Sequence, residues 1–383
     1  MNLPYPTVPG QHGAFHPAVK KLLASEITDR ALQLFIDENQ FPLVESGWVT
    51  LAWRGQATNV TLLQWIGGGV DRSQFTHIPD TQLWLLRLPV KDEGRFEYKL
   101  AVLQGTDEHW ILDPLNTAKA GDPFGENSVC KTHGYERPEW SRDLGAPVGE
   151  IRPLSITSTV FEETRDERVY LPAGYDPELE YPLVIIHDGE DFVTYAHLRV
   201  SLDNLIEAGD IPPIVAALVQ TRDRMGEYAR GRRHARYLVN DLLPELNKQY
   251  SLSQKSDGRI LLGASLGAVV SLATVFRYPG VFGGVLLHSG SFILDDKKLE
   301  GRPHPVFNRI ARLVQAFKRA PSMPALRAYV SVGELEGLAS ENAELANLLK
   351  DNGVDVQFKS AWDGHHWHNW RNQLRDGLVW VLR

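Results

Sequence analysis

Between Arg259 and Tyr278 the chain reads RILLGASLGAVVSLATVFRY, and this run narrows the possible folds more than any other stretch. Arg259–Leu262 suits a short buried strand, Gly263-Ala264-Ser265-Leu266-Gly267 follows at once, and Ala268–Phe276 reads as a helix. A G-x-S-x-G pentapeptide set between a strand and a helix is a nucleophile elbow. The reversal strains its central residue, so the flanking positions must be small. Gly263, Ala264, Gly267 and Ala268 meet that demand. Ser265 would then lift its hydroxyl clear of the sheet edge, and the Leu266 amide, first in the helix, would face a developing oxyanion. A chain with 32 glycines can produce the pentapeptide by chance, but chance matches rarely fall on a strand–helix junction.

At 383 residues the chain exceeds a typical single domain, so two domains are expected. No window reaches the about eighteen consecutive apolar residues of a membrane span. The start, MNLPYPTVPGQHG, lacks the basic-then-apolar order of a secretory signal. The single cysteine, Cys130, cannot form an internal disulfide and reads as inert. Both features predict a cytoplasmic protein. A net charge of −8 argues against a general nucleic-acid or membrane-surface binder. It hides a local reversal: Arg222, Arg224, Arg230, Arg232, Arg233 and Arg236 form either a solvated helix face or a basic patch for an anionic substrate.

The hydrophobic period changes along the chain. Residues 14–38 carry an approximate helical stripe. Trp48–Trp53, Val60–Ile66, Gln82–Leu88, Phe96–Leu103 and Trp110–Leu112 are short, Trp- and Val-rich and separated by turn residues, the spacing of an antiparallel β-sandwich ending near Asp113–Asn116. Residues 117–148 read as a loop-like connection. From Gly149 onward edge strands at Ile151–Thr157 and Thr159–Phe161 give way to alternating strands and helices. Tyr181–His187 and Ile214–Val219 are nearly all apolar, as strands covered on both faces are. The expected division is 1–148, a helix plus an Ig-like sandwich with its connecting loop, and 149–383, a doubly wound, mostly parallel α/β domain. With the elbow, that alternation implies the α/β-hydrolase fold.

A serine hydroxyl needs a base within hydrogen-bond reach, and in this architecture the order is Ser, acid, His. Past the last expected strand stands Asp363-Gly364-His365-His366-Trp367-His368, and His365 is the expected base. His366 and His368 would shape the pocket or face solvent. A metal site is not expected, because nothing else in the chain offers a spaced ligand set. No cofactor is implied. The acid should follow the strand Ala328–Val332, where Glu334 and Glu336 are both available and the residue pattern does not choose between them. The second oxyanion donor should come from His187–Phe192, with Gly189 or a neighbour supplying the amide.

With these residues in view, the chain resembles the enterochelin (enterobactin) esterase family, cytoplasmic ferric-siderophore esterases with an N-terminal sandwich and a C-terminal hydrolase domain. The resemblance rests on Trp53-Arg54-Gly55, Asp113-Pro114-Leu115-Asn116, Asp188-Gly189-Glu190-Asp191 and Leu202–Ile206 running on to Gly209–Pro213. It continues in Gly263–Gly267, Ser289-Gly290-Ser291-Phe292, Val332–Gly337 and Asp363-Gly364-His365. It implies Ser265 as nucleophile, His365 as base and Glu336 rather than Glu334 as acid. An R-x-x-E pattern matched by Arg224 and Glu227 makes Arg224 a substrate contact, with Asp188, Phe192 and Trp367 as further substrate-side candidates. Ala268, Phe192 and His366 depart from the family's usual residues, as does the arginine-rich segment after Glu227.

The reading that follows is a serine esterase opening the trilactone of a catecholate siderophore, a small-molecule substrate with no nucleic-acid or membrane partner. An arginine-rich wall with aromatics would suit a bulky ferric trianion. The alternative is a carbohydrate esterase of feruloyl or acetyl-xylan type, which shares the hydrolase body. A non-enzymatic scaffold is disfavoured by the intact Ser, Glu, His order.

Overall fold

The computed structural model describes residues 15–24, 26–66, 69–294, 305–318 and 326–383. The segment MNLPYPTVPGQHG, and Ala14 at the start of the expected first helix, lie outside them. The chain divides into two compact units. One comprises residues 1–136 with two short later segments, 334–337 and 362–366; the other comprises 137–333, 338–361 and 367–383.

The first unit opens with α1 (Pro17–Leu23) and α2 (Asp29–Asp37), two helices where one stripe was expected. The break is local: the Thr28 hydroxyl accepts the Ala31 amide at 3.2 Å and starts a new helix. Ten strands follow: β1 (Leu43–Glu45), β2 (Trp48–Arg54), β3 (Asn59–Ile66), β4 (Gly69–Gln74), β5 (Thr76–His77), β6 (Leu83–Pro89), β7 (Arg95–Gln104), β8 (Asp107–Ile111), β9 (Lys119–Asp122) and β10 (Gly125–Lys131). They form two antiparallel sheets, β1-β2-β6-β5 and β4-β3-β7-β10-β9, with β8 also paired to β7. The period-two pattern decides the packing. Val49, Leu51 and Trp53 of β2 meet Val60 and Leu62 of β3 and Phe96, Tyr98 and Leu100 of β7 in one core. Ala52, Leu83 and Leu85 point the other way and bury against Val19, Leu32 and Phe35 of the two helices.

The sandwich does not end near Asn116, as expected. The supposed connection contains the hairpin β9–β10, and β10 pairs with β7 from Ser128↔Tyr98 to Lys131↔Arg95. Four successive residues, Asn127–Cys130, are buried, two of them polar and satisfied by hydrogen bonds, so it carries no apolar alternation. Asn127 donates to Glu97 at 3.2 Å and to Asp122 at 3.1 Å, and Asp122 accepts the Phe124 amide at 2.6 Å to form the turn.

The second unit is an α/β-hydrolase fold. Its strands are β11 (Glu150–Ser158), β12 (Glu163–Leu171), β13 (Leu183–His187), β14 (Val215–Val219), β15 (Arg259–Ala264), β16 (Gly284–His288), β17 (Arg327–Gly333) and β18 (Asp355–Ala361). They form one eight-stranded sheet in the order β11-β12-β14-β13-β15-β16-β17-β18. β11 and β12 are antiparallel and the remaining pairs from β14 onward are parallel. Every residue of β13, β14 and β16 is buried, as strands covered on both faces must be. The helices are α3 (Gly189–Tyr195), α4 (Leu198–Glu207), α5 (Arg224–Arg230), α6 (Arg232–Tyr237), α7 (Leu243–Gln249), α8 (Leu266–Arg277), α9 (Pro305–Lys318), α10 (Ala339–Asp351), α11 (Trp367–Asn372) and α12 (Leu374–Val381). Those from α5 to α10 bury against one face of the sheet, and α3, α4, α11 and α12 against the other.

Thr159–Phe161, expected as an edge strand, is the turn between β11 and β12. Asp241, distant in sequence, holds it by accepting from the Ser158 hydroxyl at 2.6 Å, the Thr159 hydroxyl at 2.7 Å and the Val160 amide at 3.0 Å. The expected helix over Ala235–Gln249 is interrupted by a π turn at Leu238–Leu242, which contains that aspartate. Among the described residues no helix is long and apolar enough to cross a membrane.

Candidate active site

The chain leaves β15, in the middle of the sheet, and reverses into α8 within one residue. Ser265 is that residue, at φ 57° and ψ −117°, a backbone conformation that costs a non-glycine side chain energy. A Cβ on Gly263 would stand 2.3 Å from the carbonyl carbon and 2.4 Å from the oxygen of Gly267, backbone atoms that have nowhere to go. At Gly267 the nearest atom would be the His187 Cβ at 3.2 Å, so that glycine is the less constrained of the two. The Ser265 amide donates to His288 O at 2.9 Å, tying the elbow to β16. The Ser265 hydroxyl lies 3.0 Å from that of Ser291, whose amide donates to Ser265 O at 3.2 Å. Leu266 is the first residue of a twelve-residue helix, where an amide has no intrahelical acceptor and the dipole favours negative charge.

The turn after β13 carries a second strained residue, Asp188, at φ 55°. Its amide donates to the Tyr228 hydroxyl at 3.2 Å. Gly189, which opens α3, has no room for a side chain: a Cβ would stand 2.5 Å from Leu218 Cα. The Asp188 carboxylate, 1% exposed, accepts from Arg224 Nε at 3.0 Å, and Arg224 Nη2 lies 2.9 Å from the same oxygen. Arg224 Nη2 also reaches Ala264 O at 3.3 Å, so the guanidinium is anchored beside the residue that precedes Ser265 while 38% of its side chain stays exposed. Burial works against the Arg224 charge, and Asp188 outweighs it, leaving the guanidinium pKa above its ordinary value.

Phe192 is fully buried, edge-on to Trp367 at 5.2 Å between centroids. It backs the aromatic surface and cannot itself line a pocket. Trp367 is half-buried beside Trp370 at 4.8 Å and Tyr195 at 5.8 Å. Trp370 Nε1 donates to the hydroxyl of Ser289, itself held at φ 46°.

The loops that carry the expected acid and base follow the ends of neighbouring strands. Glu334–Gly337 succeeds β17, Trp362–His366 succeeds β18, and both segments belong to the sandwich unit. His365 Nδ1 lies 2.5 Å from Glu336 Oε2; an ionised carboxylate only accepts, so the imidazole donates from Nδ1. The Glu336 carboxylate has no exposed surface, whereas His365 keeps 25% of its side chain exposed. Glu334 is paired instead with Lys91. His366 is buried with Nδ1 3.4 Å from Glu97 Oε2, and His368 stacks on His197 at 6.2 Å. The histidines thus disperse to separate partners, and among the described residues no cluster is arranged to hold a metal ion.

The arginine run divides in the same way. Arg222 pairs with Glu163 at 2.8 Å, and Arg233 donates to Val160 O at 2.8 Å while covering the Phe161 ring. Glu227 of the R-x-x-E pattern holds Arg165 at 2.7 Å and His234 at 3.3 Å, so its role is internal. Sequence reasoning gave no role to Ser291 beside the Ser265 hydroxyl, or to Arg95 and Glu97 around Asp363 and His366. A serine three residues past a strand end, and two like-facing charges on a core strand, were the available signals.

The sequence profile of the family described as "Putative esterase" matches residues 158–381. Among curated proteins the chain is similar to the uncharacterized protein YjcH of Bacillus subtilis (strain 168), 24% identical over 252 residues, covering 61% of this chain and 98% of that one. It is also similar to the iron(III) enterobactin esterase of Dickeya dadantii (strain 3937), 26% identical over 356 residues, covering 82% of this chain and 80% of that one. Among solved structures, the enterobactin esterase from Shigella flexneri, crystallised in the presence of enterobactin, superposes with a TM-score of 0.71 at 20% identity over 87% of this chain and 92% of that one. This last likeness is one of fold. The resemblance to enterochelin esterases read from the sequence is borne out by these matches.

Proposed function

The chain belongs to the "Putative esterase" family and is a carboxylic ester hydrolase, and we propose that its substrate is a catecholate siderophore of the enterobactin type, free or iron-loaded, whose trilactone esters it opens so that iron is released. The observation that carries this reading is the reach of the likeness to the Dickeya dadantii iron(III) enterobactin esterase: at 82% of this chain it extends beyond the hydrolase unit.

In the proposed mechanism Ser265 Oγ attacks an ester carbonyl while His365, through Nε2, takes its proton. Glu336, on Nδ1, holds the tautomer and stabilises the imidazolium. The amides of Leu266 and Gly189 receive the oxyanion. The imidazolium then protonates the departing serine alcohol of the trilactone. Water, deprotonated by His365, releases the acyl group from Ser265. The support is the strained elbow at Ser265, the hydrogen bond between His365 and Glu336, and the departure of all three loops from the carboxyl ends of strands in one sheet.

Arg224 is the proposed contact for the anionic catecholates and Trp367 for their aromatic faces. Asp188 and Phe192, both buried, would support these two residues from behind. We place the reaction in the cytoplasm, in keeping with a lone, buried cysteine whose pKa burial pushes up.

The test offers ferric enterobactin and methyl ferulate to the protein in parallel and weighs the products. Linear trimer or smaller fragments from the siderophore, formed faster than ferulate, are expected. An intact siderophore with hydrolysed ferulate would replace this substrate with the carbohydrate-ester alternative.

A further inference from the structure

Within β7, Phe96, Tyr98, Leu100 and Val102 fill the sandwich core. Arg95 and Glu97 alternate with them and so lie on the opposite face of the sheet, where a sandwich normally meets solvent. Their side chains are nevertheless only 2% and 3% exposed. Three residues of the segment Trp362–His366 are tied to them: Trp362 and Asp363 to Arg95, and His366 to Glu97.

Arg95 divides its guanidinium. Nη2 donates to Glu97 Oε1 at 2.6 Å, and Nη1 donates to Asp363 at 3.0 Å and 3.3 Å. The Arg95 amide donates to Trp362 O at 3.2 Å. Beside it, Gly94 leaves room for the Trp362 ring, which would stand 2.5 Å from any Cβ there. Asp363 accepts the Gly364 amide at 2.8 Å, and its carbonyl accepts the Leu335 amide at 3.1 Å, joining the base loop to the acid loop. On the far side of His365, His366 Nδ1 lies 3.4 Å from Glu97 Oε2. His365 therefore stands between residues pinned to one strand: Trp362 and Asp363 before it, His366 after it.

We propose that Arg95 and Glu97 are positioning residues for His365, so that a strand of the sandwich sets the place of the general base. The proposal rests on the reading of His365 as that base. Its physical ground is that a buried ion cluster often adds little stability over apolar residues of the same size, whereas Arg–carboxylate hydrogen bonds are directional and so bear on position. A catalytic side chain on a loop needs such support, because a displacement of about 1 Å can cost on the order of a hundredfold in rate. Glu336 fixes the imidazole from Nδ1; the β7 pair fixes the backbone that carries it.

The test uses the full chain with Arg95→Met, Arg95→Lys and Glu97→Gln, each checked for folding by thermal unfolding. Two readouts are taken: kcat and KM on a neutral aryl acetate, and the low-field proton resonance of the His365 Nδ1–H bonded to Glu336. Arg95→Met and Glu97→Gln should lower kcat by about tenfold or more, with KM changed by less than about twofold, and should shift or broaden that resonance. Arg95→Lys should recover part of the rate. If Arg95→Met does not fold, the other two variants decide. Folded variants with wild-type kcat and an unmoved resonance would overturn the proposal. Should Ser265→Ala or His365→Ala keep wild-type hydrolysis, it is the catalytic reading that fails, and the resonance alone then decides whether β7 holds His365.

Discussion

At Gly263 a single methyl group decides whether the elbow can close. The atoms it would strike belong to the backbone of Gly267, so relief would have to come from moving the start of α8. Gly263→Ala should cost about 3 kcal/mol or more and abolish hydrolysis, whereas Gly267→Ala, facing the edge of the His187 side chain, should keep the fold; denaturant unfolding and ester turnover check both. The two glutamates after β17 make a second contrast. Glu336→Gln removes the carboxylate bonded to His365 and should lower kcat on the order of a thousandfold. Glu334→Gln weakens a surface pair with Lys91 and should stay within about twofold. Glu334 and Glu336 could not be separated by the residue pattern, because both lie in one short loop and only their partners distinguish them. Ser265 and His365 were visible because strand, helix and glycine signals lie beside them in the chain. Arg95 was not, because its partner Asp363 is remote in sequence.

Between elements, buried charge is handled in local sets. Arg165 on β12, Glu227 on α5 and His234 on α6 form one of them. Burial pushes the Glu227 carboxyl up, but the His234 hydrogen bond and the Arg165 pair outweigh it and hold the carboxyl at about 2. Its folded pKa thus lies below the unfolded value of 4.5. Between those values the unfolded chain binds the extra proton, so the contribution, up to about 3 kcal/mol, is present above pH 4.5 and lost as pH falls toward 2. Urea unfolding across that window should give a stability slope that is shallower in Glu227→Gln than in the wild type. An equal slope in the two would remove Glu227 from the acid response. None of this was legible beforehand. Glu227 read as half of a substrate-facing R-x-x-E pattern, yet its helix turns Arg224 toward Asp188 and the glutamate toward β12.

Across the whole molecule, the hydrolase sheet was legible because its parallel strands are nearly all apolar. Leu183–His187 and Val215–Val219 could be read from burial demand alone. The hairpin β9–β10 was not, because Asn127 and Ser128 are buried by hydrogen bonding and carry no hydrophobic period. The β11–β12 turn escaped for a related reason: the carboxylate that shapes it comes from a distant π turn. In the proposed function Ser265 and His365 act as one catalytic unit on an ester. The most direct measurement is the turnover of ferric enterobactin by Ser265→Ala, His365→Ala and the double variant, with product masses as the readout. Each single substitution should remove nearly all the enzymatic rate, and the double should lose no more than either alone. Siderophore hydrolysis by Ser265→Ala at the wild-type rate, or losses that multiply in the double variant, would contradict it.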